Sequence, residues 1–410
     1  MAKHIHLSAF NNKTVFSLAI LVVLCPVFLF SASTVVSALD YQDSDFFTFW
    51  LAGHLVSTGQ NPSNSQIWID GHSRFGADWL PNPVFPYPLP LSILAVPIGL
   101  LPLRTAYITW IFLSEIFITI SVFLLLSWYS FPQKKHLILP LLVSAFLFRP
   151  TLVTLRIGQL SALLLFILAL TLFLWNHQKW WQGGILLALL ILKPTLGLSI
   201  ICFSSLWLLI HKKYSTILAM TTTIALLGII GWLQDPDWIG KFLSVGKSKF
   251  AETFGYNPTM WGLAGVLCKQ VQLCTAEIGS VLSIAIVLGL SYLIFSRSHL
   301  LSAPLMMSLV IPLSLLITPY IWAYDQILLI ICLSVVVYLF SQKPYPYLPV
   351  ALIPIMFSVF SLLLLYLAYR MGHDAYSALL PLMCFFMIWA KMPSSGLDAQ
   401  VVSESQEQIK

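Results

Sequence analysis

Long apolar runs separated by short polar loops make up most of this chain. Runs long enough to cross a hydrocarbon core of about 30 Å recur from one end to the other. Only helices and closed barrels satisfy the backbone inside lipid, so the pattern predicts an all-α polytopic membrane protein. We expect about 12 transmembrane helices, near residues 14–36, 105–129, 136–150, 159–176, 182–194, 196–210, 214–233, 275–296, 301–318, 322–341, 346–368 and 376–391.

The composition supports this class and bears on the partners. Hydrophobic residues make up 59% of the chain and charged residues 9%, whereas soluble proteins carry roughly 25% charged residues. The net charge of +6 is spread over short loops, so it reports on topology, and no nucleic-acid partner is expected. Residues 1–391 are predicted to form one transmembrane domain in the cell membrane, and residues 392–410 a disordered cytoplasmic tail.

The first polar loop, residues 39–79, is unusually acidic for this chain. It contains five of the 15 acidic residues and one cation, Arg74. Carboxylates crowded at a membrane surface raise one another's pKa and are costly unless they are solvated or used. The loop is therefore either a solvated connection or the place of a general base. Its acidic residues are Asp40, Asp43, Asp45, Asp70 and Asp78.

The next segment, residues 81–103, decides the topology. It is apolar enough to span but contains seven prolines, and each proline inside a helix removes a backbone hydrogen bond. We expect it to re-enter the outer leaflet without crossing. The basic loops near 133–136, 177–181, 211–213 and 296–299 then all face the cytoplasm, as do both termini. The long first loop becomes extracytoplasmic and is expected to contain interfacial helices.

With this topology, five polar segments open on the outer face: residues 39–79, 149–159, 193–194, 234–274 and 318–326. Three groups of their residues suggest chemistry. Residues 43–55 (DSDFFTFWLAGHL) predict an amphiphilic helix on the membrane, with Asp43 or Ser44 as its N-cap and Asp45 in its first turn. Asp45 either stabilises the helix dipole or acts as a base. Arginine and helix N-termini suit phosphate oxygens, although membrane-edge cations also simply snorkel. The candidate phosphate ligands are Arg149, Arg156, Gln159 and Lys193.

A third group combines aromatic rings with amide and carboxylate groups, as sugar-binding surfaces do. Tryptophan and tyrosine also collect at membrane interfaces without any ligand, so both interpretations stay open. The group lies in residues 254–265 (FGYNPTMWGLAG) and 318–326 (TPYIWAYDQ). With Asp43, its candidate sugar or acceptor ligands are Asn257, Trp261, Trp322, Tyr324 and Asp325.

The cysteines and histidines give no metal-binding pattern, so we expect no metal and no cofactor. Four cysteines lie inside apolar runs and are interpreted as small core residues. Cys268 and Cys274 flank a polar stretch and can pair if that loop faces an oxidising compartment.

Several strings occur in an order that resembles glycosyltransferase family 87. They are DFFTFWLAGHLVSTG, FPYPLPLSILAVPIGLLP, IGQLSALLLFILAL, LILKPTLG and TPYIWAYD. The resemblance as a whole covers residues 15–390. The family consists of integral-membrane enzymes of the GT-C class, including polyprenyl-phosphomannose-dependent mannosyltransferases. Two places depart from its pattern: WAYD lacks the histidine that many members carry after the tryptophan, and NPT lacks a glutamine-serine pair.

The resemblance implies a GT-C-type fold and an extracytoplasmic site built from the first loop. It implies a polyprenyl-phosphate sugar donor, with mannose as the expected hexose, a lipid or glycan acceptor, and an aspartate base. By motif position that base is Asp45, and Gly158–Gln159 and Lys193–Pro194 match two further motifs. The rival interpretations are a multi-spanning transporter or lipid flippase, whose broken helices also carry polar residues, and a polysaccharide ligase or polymerase.

Overall fold

The computed structural model describes residue 31 and residues 41–77, 82–128, 134–342 and 347–392. Within these ranges the regular structure is helical, without a strand. The α-helices are α1 (Asp45–Ser57), α2 (Ser65–Arg74), α3 (Pro90–Leu94), α4 (Val96–Gly99), α5 (Leu103–Ser127), α6 (Lys134–Leu147), α7 (Arg149–Ile157), α8 (Ser161–Asn176), α9 (Trp180–Ala188), α10 (Pro194–Ile210), α11 (Tyr214–Gln234), α12 (Trp238–Thr253), α13 (Met260–Leu267), α14 (Gln272–Arg297), α15 (Ala303–Ile317), α16 (Leu329–Ser341), α17 (Tyr347–Met371) and α18 (Leu379–Trp389). Short 3₁₀ turns cover Tyr41–Asp43, Leu189–Leu192, Ser298–Leu300, Ala323–Leu328 and Ala375–Ala378.

Five helices are long and apolar enough to cross a membrane, and a sixth span results if α6 and α7 are counted together. Those two helices meet at a bend of 56°, where Pro150 opens α7. Five shorter apolar helices accompany them, beginning at Ser161, Trp180, Pro194, Ala303 and Ala375. The prediction of an all-helical multi-pass protein is confirmed, but 12 spans are not observed, and the predicted span at 14–36 lies outside the described residues except for residue 31.

The centre of the bundle is formed by α15 and the continuous segment Ala323–Ser341. Every residue from Ala303 to Leu316 is buried, and so are 83% of the residues in the most apolar stretch of Ala323–Ser341. A helix that is apolar on all sides needs such a central place. By contrast, α11 leaves several large side chains, among them Leu226 and Trp232, exposed on the surface of the protein.

One end of the bundle collects cations on aromatic rings, and we call it the basic end. Lys213 Nζ lies 4.0 Å from the ring centre of Trp180, and Arg297 Cζ lies 5.5 Å from that of Trp389. Trp207 Nε1 donates a hydrogen bond to Leu301 O (3.0 Å), which brings α10 beside the start of α15. The loops after α8, α10 and α14 therefore lie at the same end.

The opposite end, which we call the polar end, collects the five polar segments that the sequence analysis grouped. Asn61 of the first loop donates to Gln234 O (3.2 Å), and Asn257 donates to Pro319 O (3.2 Å). Lys193, just before α10, lies at this end, and the 17 residues of α10 separate it from the basic end by about 25 Å.

Residues 82–99 form no helix long enough to span a membrane. The prolines break the segment into an irregular stretch and the short helices α3 and α4, which pack against α1. This packing is close: a Cβ added to Gly53 would lie 2.2 Å from Ala95 O. The segment therefore covers one side of α1. Whether it re-enters the outer leaflet stays a prediction.

Cys268 and Cys274 form a disulfide between α13 and α14. The sequence analysis had left this pairing open. The bridge lies near the polar end, because α13 follows the loop in which Asn257 contacts Pro319.

Candidate active site

Helix α1 carries Asp45 in its first turn. Ser44 is the N-cap, since its Oγ accepts a hydrogen bond from the backbone N of Phe47 (3.4 Å). Of the two caps considered from the sequence, Ser44 is therefore the one observed. Asp43 ends the preceding 3₁₀ turn, and its side chain lies outside the described residues.

The expectation that α1 lies on the membrane with one greasy side is wrong. Its residues from Phe46 to Gly53 are all buried, so protein surrounds the helix. Trp50 Nε1 donates to Leu101 O (2.9 Å), and Phe46 stacks on Tyr107 with ring centres 5.0 Å apart. A helix that is apolar on all sides gains more from this burial than from a one-sided contact with lipid. Asp45 is thus held by a fixed element.

Gln159 joins Asp45 to the rest of the polar end. Its Nε2 donates to Asp45 Oδ2 (2.6 Å) and lies 3.4 Å from the hydroxyl of Tyr87. Gln159 is fully buried, whereas Asp45 keeps part of its surface exposed. Among the described residues, Gln159 is the one that donates a side-chain hydrogen bond to this carboxylate.

Gly158 sets the direction of Gln159. It ends α7 in the left-handed conformation (φ 66°), and its C=O accepts from Trp110 Nε1 (2.8 Å). A Cβ at this position would lie 2.5 Å from the Cβ of Phe46, so both the backbone angle and the space require glycine. The Gly-Gln pair therefore places an amide side chain directly beneath α1.

A buried ion pair lies behind Gln159. Lys193 Nζ is 2.5 Å from Asp325 Oδ1, 3.2 Å from Gln159 Oε1 and 3.3 Å from Ser161 Oγ. The Lys193 and Asp325 side chains are 6% and 1% exposed. Asp325 also accepts from Ser161 Oγ (2.8 Å) and from the backbone N of Trp322 (3.3 Å), so its charge and both of its oxygens have partners inside the protein.

The surroundings shift the acid–base properties of Asp45. Burial raises the pKa of its carboxyl above the ordinary aspartate value, the Gln159 hydrogen bond and the Lys193 charge lower it, and Asp325 raises it. The net direction is upward, which moves the group toward the range useful to a general base. Burial, reinforced by the Asp45 charge, also raises the pKa of Tyr87 well above its usual value, so this phenol stays protonated.

Three helical segments begin beside the cluster of Gln159, Lys193 and Asp325. They are α8 at Ser161, α10 at Pro194 and the turn Ala323–Leu328. The backbone N–H groups at helix N-termini carry partial positive charge, so they favour an anion. The site thus combines a partly exposed carboxylate with three helix N-termini that begin beside a buried ion pair.

The two candidate arginines lie at opposite ends of α7. Arg149 forms a two-pronged ion pair with Asp374 (2.8 and 2.9 Å) and donates to Ser377 Oγ (2.6 Å). This geometry does not support Arg149 as a phosphate ligand, because its fork is already filled by a carboxylate. Arg156, three residues before Gln159, is exposed and has no ion-pair partner in the described part of the chain.

The candidate sugar ligands divide into two sets. Asn257 is fully buried, and Trp261 Nε1 donates to Ile317 O (3.1 Å), so both support the segment that leads from α15 toward the site. Tyr324 lies next to the buried ion pair, with its ring centre 4.6 Å from Lys193 Nζ. Trp322, two residues before it, is partly exposed. Asp325 is committed to Lys193 and is not free for a sugar.

Sequence reasoning missed three participants: Tyr87, Ser161 and Asp374. Tyr87 and Ser161 stand inside the motifs FPYPLP and GQLSALL, where the prolines and Gln159 are the more distinctive residues. Asp374 follows a long apolar run, and an acidic residue there calls for a partner such as Arg149. The two residues are 225 positions apart, so the pairing itself carried no sequence signal.

The chain belongs to glycosyltransferase family 87. The family profile matches residues 85–319, more than half of the chain, and the family identifies the protein as a transferase enzyme. The match includes Tyr87, Arg156, Gln159 and Lys193, while Asp45 lies before it. A search of curated proteins and a search of solved structures each give no significant match.

Proposed function

We propose that this family 87 enzyme moves a hexose, with mannose as the expected sugar, from a polyprenyl-phosphate donor to a lipid or glycan acceptor. Family membership supplies the reaction class, a glycosyl transfer within a membrane protein. The observation that carries the proposal is the state of Asp45. One carboxylate oxygen is held by Gln159, the group remains partly exposed, and its pKa is raised.

The proposed reaction is a single displacement. Asp45 removes the proton of an acceptor hydroxyl while that oxygen bonds to the anomeric carbon from the face opposite the phosphate. The bond between the anomeric carbon and the phosphate oxygen breaks, and its electron pair leaves with the polyprenyl phosphate. Asp45 then returns its proton to solvent. The leaving group is already anionic, so it needs positive surroundings more than an acid.

Arg156 is the candidate cation for the donor phosphate because it has no ion-pair partner in the described ranges. Arg156→Gln is expected to raise the donor KM roughly 10- to 150-fold, since a charged hydrogen bond contributes about 1.5–3 kcal/mol. The measurement is donor saturation at fixed acceptor. Arg104→Gln removes another exposed cation, at the start of α5, and should leave the KM unchanged. An unchanged donor KM in the Arg156 variant would instead favour the interpretation that Arg156 only snorkels to the membrane edge.

We propose further that the polar end faces the extracytoplasmic side. The short loops at the basic end carry Lys179, Lys213 and Arg297, as the positive-inside rule favours for the cytoplasm. The disulfide near the polar end fits an oxidising compartment.

Labelling of single cysteines tests this orientation. A cysteine at Gln60, exposed near the polar end, should react with a membrane-impermeant maleimide added to intact cells, and one at Lys179 should react only after permeabilisation. The background should lack the other free cysteines. The reverse pattern would place the site in the cytoplasm.

The donor class is tested with the purified enzyme in vesicles. Transfer of radiolabelled sugar from a polyprenyl phosphate to extracted lipid acceptors is expected. Robust transfer directly from a nucleotide sugar, in vesicles free of polyprenyl phosphate, would contradict the proposal.

A further inference from the structure

Lys193 has no N–H group left over for a substrate. A lysine ammonium has three N–H donors and no acceptor. Around Lys193 Nζ, three oxygens lie within 3.3 Å: Asp325 Oδ1, Gln159 Oε1 and Ser161 Oγ. All three partners are buried, and one of them is a carboxylate that neutralises the charge.

The same contact fixes the orientation of the Gln159 amide. The two ends of a glutamine amide differ in function, since the oxygen accepts and the nitrogen donates. Lys193 and the backbone N–H of Leu160 (3.2 Å) both donate to the oxygen, which leaves Nε2 facing Asp45 at 2.6 Å. A flipped amide would set its NH₂ against an ammonium and its oxygen against a carboxylate, and both contacts would be repulsive.

We propose that Lys193 is a positioning residue for Asp45 that acts through the Gln159 side chain, and that Asp325 holds Lys193 in place for this task. The proposal rests on the proposed role of Asp45 as base. It replaces the sequence-based assignment of Lys193 to the donor phosphate. The Lys193 ammonium can only donate, so the Gln159 oxygen faces it and the Gln159 nitrogen donates to Asp45 Oδ2. The other carboxylate oxygen, Oδ1, is then left for the acceptor hydroxyl.

The two members of the ion pair affect Asp45 in opposite ways. Without Lys193, the Gln159 oxygen keeps only the backbone N–H of Leu160 (3.2 Å), so the amide is held less firmly. A nearby positive charge is also lost, and both changes disfavour the ionised carboxylate. The substitution Asp325→Asn keeps an oxygen for Lys193 but removes a negative charge, and this change favours the ionised form of Asp45. In the described part of the chain, further titratable side chains within electrostatic reach of Asp45 or its neighbours are Tyr87, Tyr107, Arg156, Tyr320, Tyr324 and, through Tyr320, Glu252.

This opposition gives the test, made on the full-length enzyme in vesicles with the polyprenyl-phosphate donor. In Lys193→Met, the acid limb of the kcat–pH profile should move to higher pH. Its kcat should fall roughly 10- to 100-fold, with the donor KM within about twofold, because small misplacements of a catalytic group are costly. In Asp325→Asn, the limb should move to lower pH. Lys193→Arg keeps a donor-only cation and should restore part of the activity.

Several outcomes would overturn the proposal. One is a Lys193→Met enzyme whose donor KM rises tenfold or more on an unshifted acid limb, which is the behaviour of a phosphate ligand. Acid limbs that move in the same direction in both variants would also contradict the proposal. General damage from breaking the ion pair would not give opposite shifts, whereas the loss of opposite charges would. If Lys193→Met fails to fold, Gln159→Leu replaces it, with the limb again expected at higher pH.

A titration of the Asp45 carboxyl by infrared difference spectroscopy against Asp45→Asn gives the same comparison without turnover. It therefore separates the two proposals. A wild-type enzyme that ignores lipid-linked donors contradicts the proposed function, whereas equal Asp45 titrations in wild type, Lys193→Met and Asp325→Asn contradict the positioning role.

Discussion

Replacing Asp45 with asparagine is expected to lower kcat by about 10²–10⁴-fold, the usual contribution of a positioned general base. Asparagine keeps the size of the side chain and an oxygen for the Gln159 contact, but it cannot take the acceptor proton. Expression, thermal stability and donor KM should therefore stay close to wild type, because the cap of α1 is provided by Ser44. The measurement is steady-state transfer from the polyprenyl-phosphate donor by purified enzyme.

Two acidic residues of the same loop serve as controls for this result. Asp70 is exposed and accepts a hydrogen bond from Gln66 (2.8 Å), so Asp70→Asn should leave kcat unchanged. Asp43→Asn is expected to be milder than Asp45→Asn, because Asp45 is the carboxylate that Gln159 holds. A dead Asp43 variant beside an active Asp45 variant would show that the base had been assigned to the wrong carboxylate.

Breaking the Arg149–Asp374 pair is expected to have the largest effect on stability. Arg149→Gln leaves the Asp374 charge without its partner in a nearly buried place, where the side chains are 7% and 13% exposed. Removing one partner of such a pair costs about 3–5 kcal/mol of unfolding free energy. The thermal midpoint of the detergent-solubilised enzyme should fall clearly.

A double variant distinguishes a lost pair from lost packing. Arg149→Leu with Asp374→Leu removes both charges, so it should be less destabilised than Arg149→Leu alone. Lys249→Gln, which breaks an exposed pair with Glu252, should show no measurable change. A wild-type midpoint in Arg149→Gln, combined with a raised donor KM, would restore the phosphate-binding assignment.

The sequence was sufficient for the features that depend on short stretches. Apolar runs predicted the helices, the prolines of 81–103 predicted a broken segment, and the charge pattern grouped the segments that meet at the polar end. Motif order made Asp45 and Gln159 candidates for one site, and the structure places their side chains 2.6 Å apart, while their chemical roles stay proposals.

The sequence failed where a role depends on a partner far along the chain. Lys193 and Arg149 each looked like free cations, but partners 132 and 225 residues away neutralise them. The sequence gives no spatial distance between a cation and a carboxylate that lies far along the chain, so both cations were interpreted as ligands of the donor phosphate. The burial of α1 was missed for the same reason, because the segments that cover it come from elsewhere in the chain.

The anomeric configuration of the first product tests the central claim most directly. Asp45 as a base for direct attack predicts that the transferred sugar has the configuration opposite to that in the polyprenyl-phosphate donor. The measurement is the proton NMR spectrum of the product of a single transfer, taken from a donor of known configuration. An inverted linkage is the result that this account predicts. Retention of the donor configuration would contradict it, because retention requires something other than one displacement assisted by Asp45.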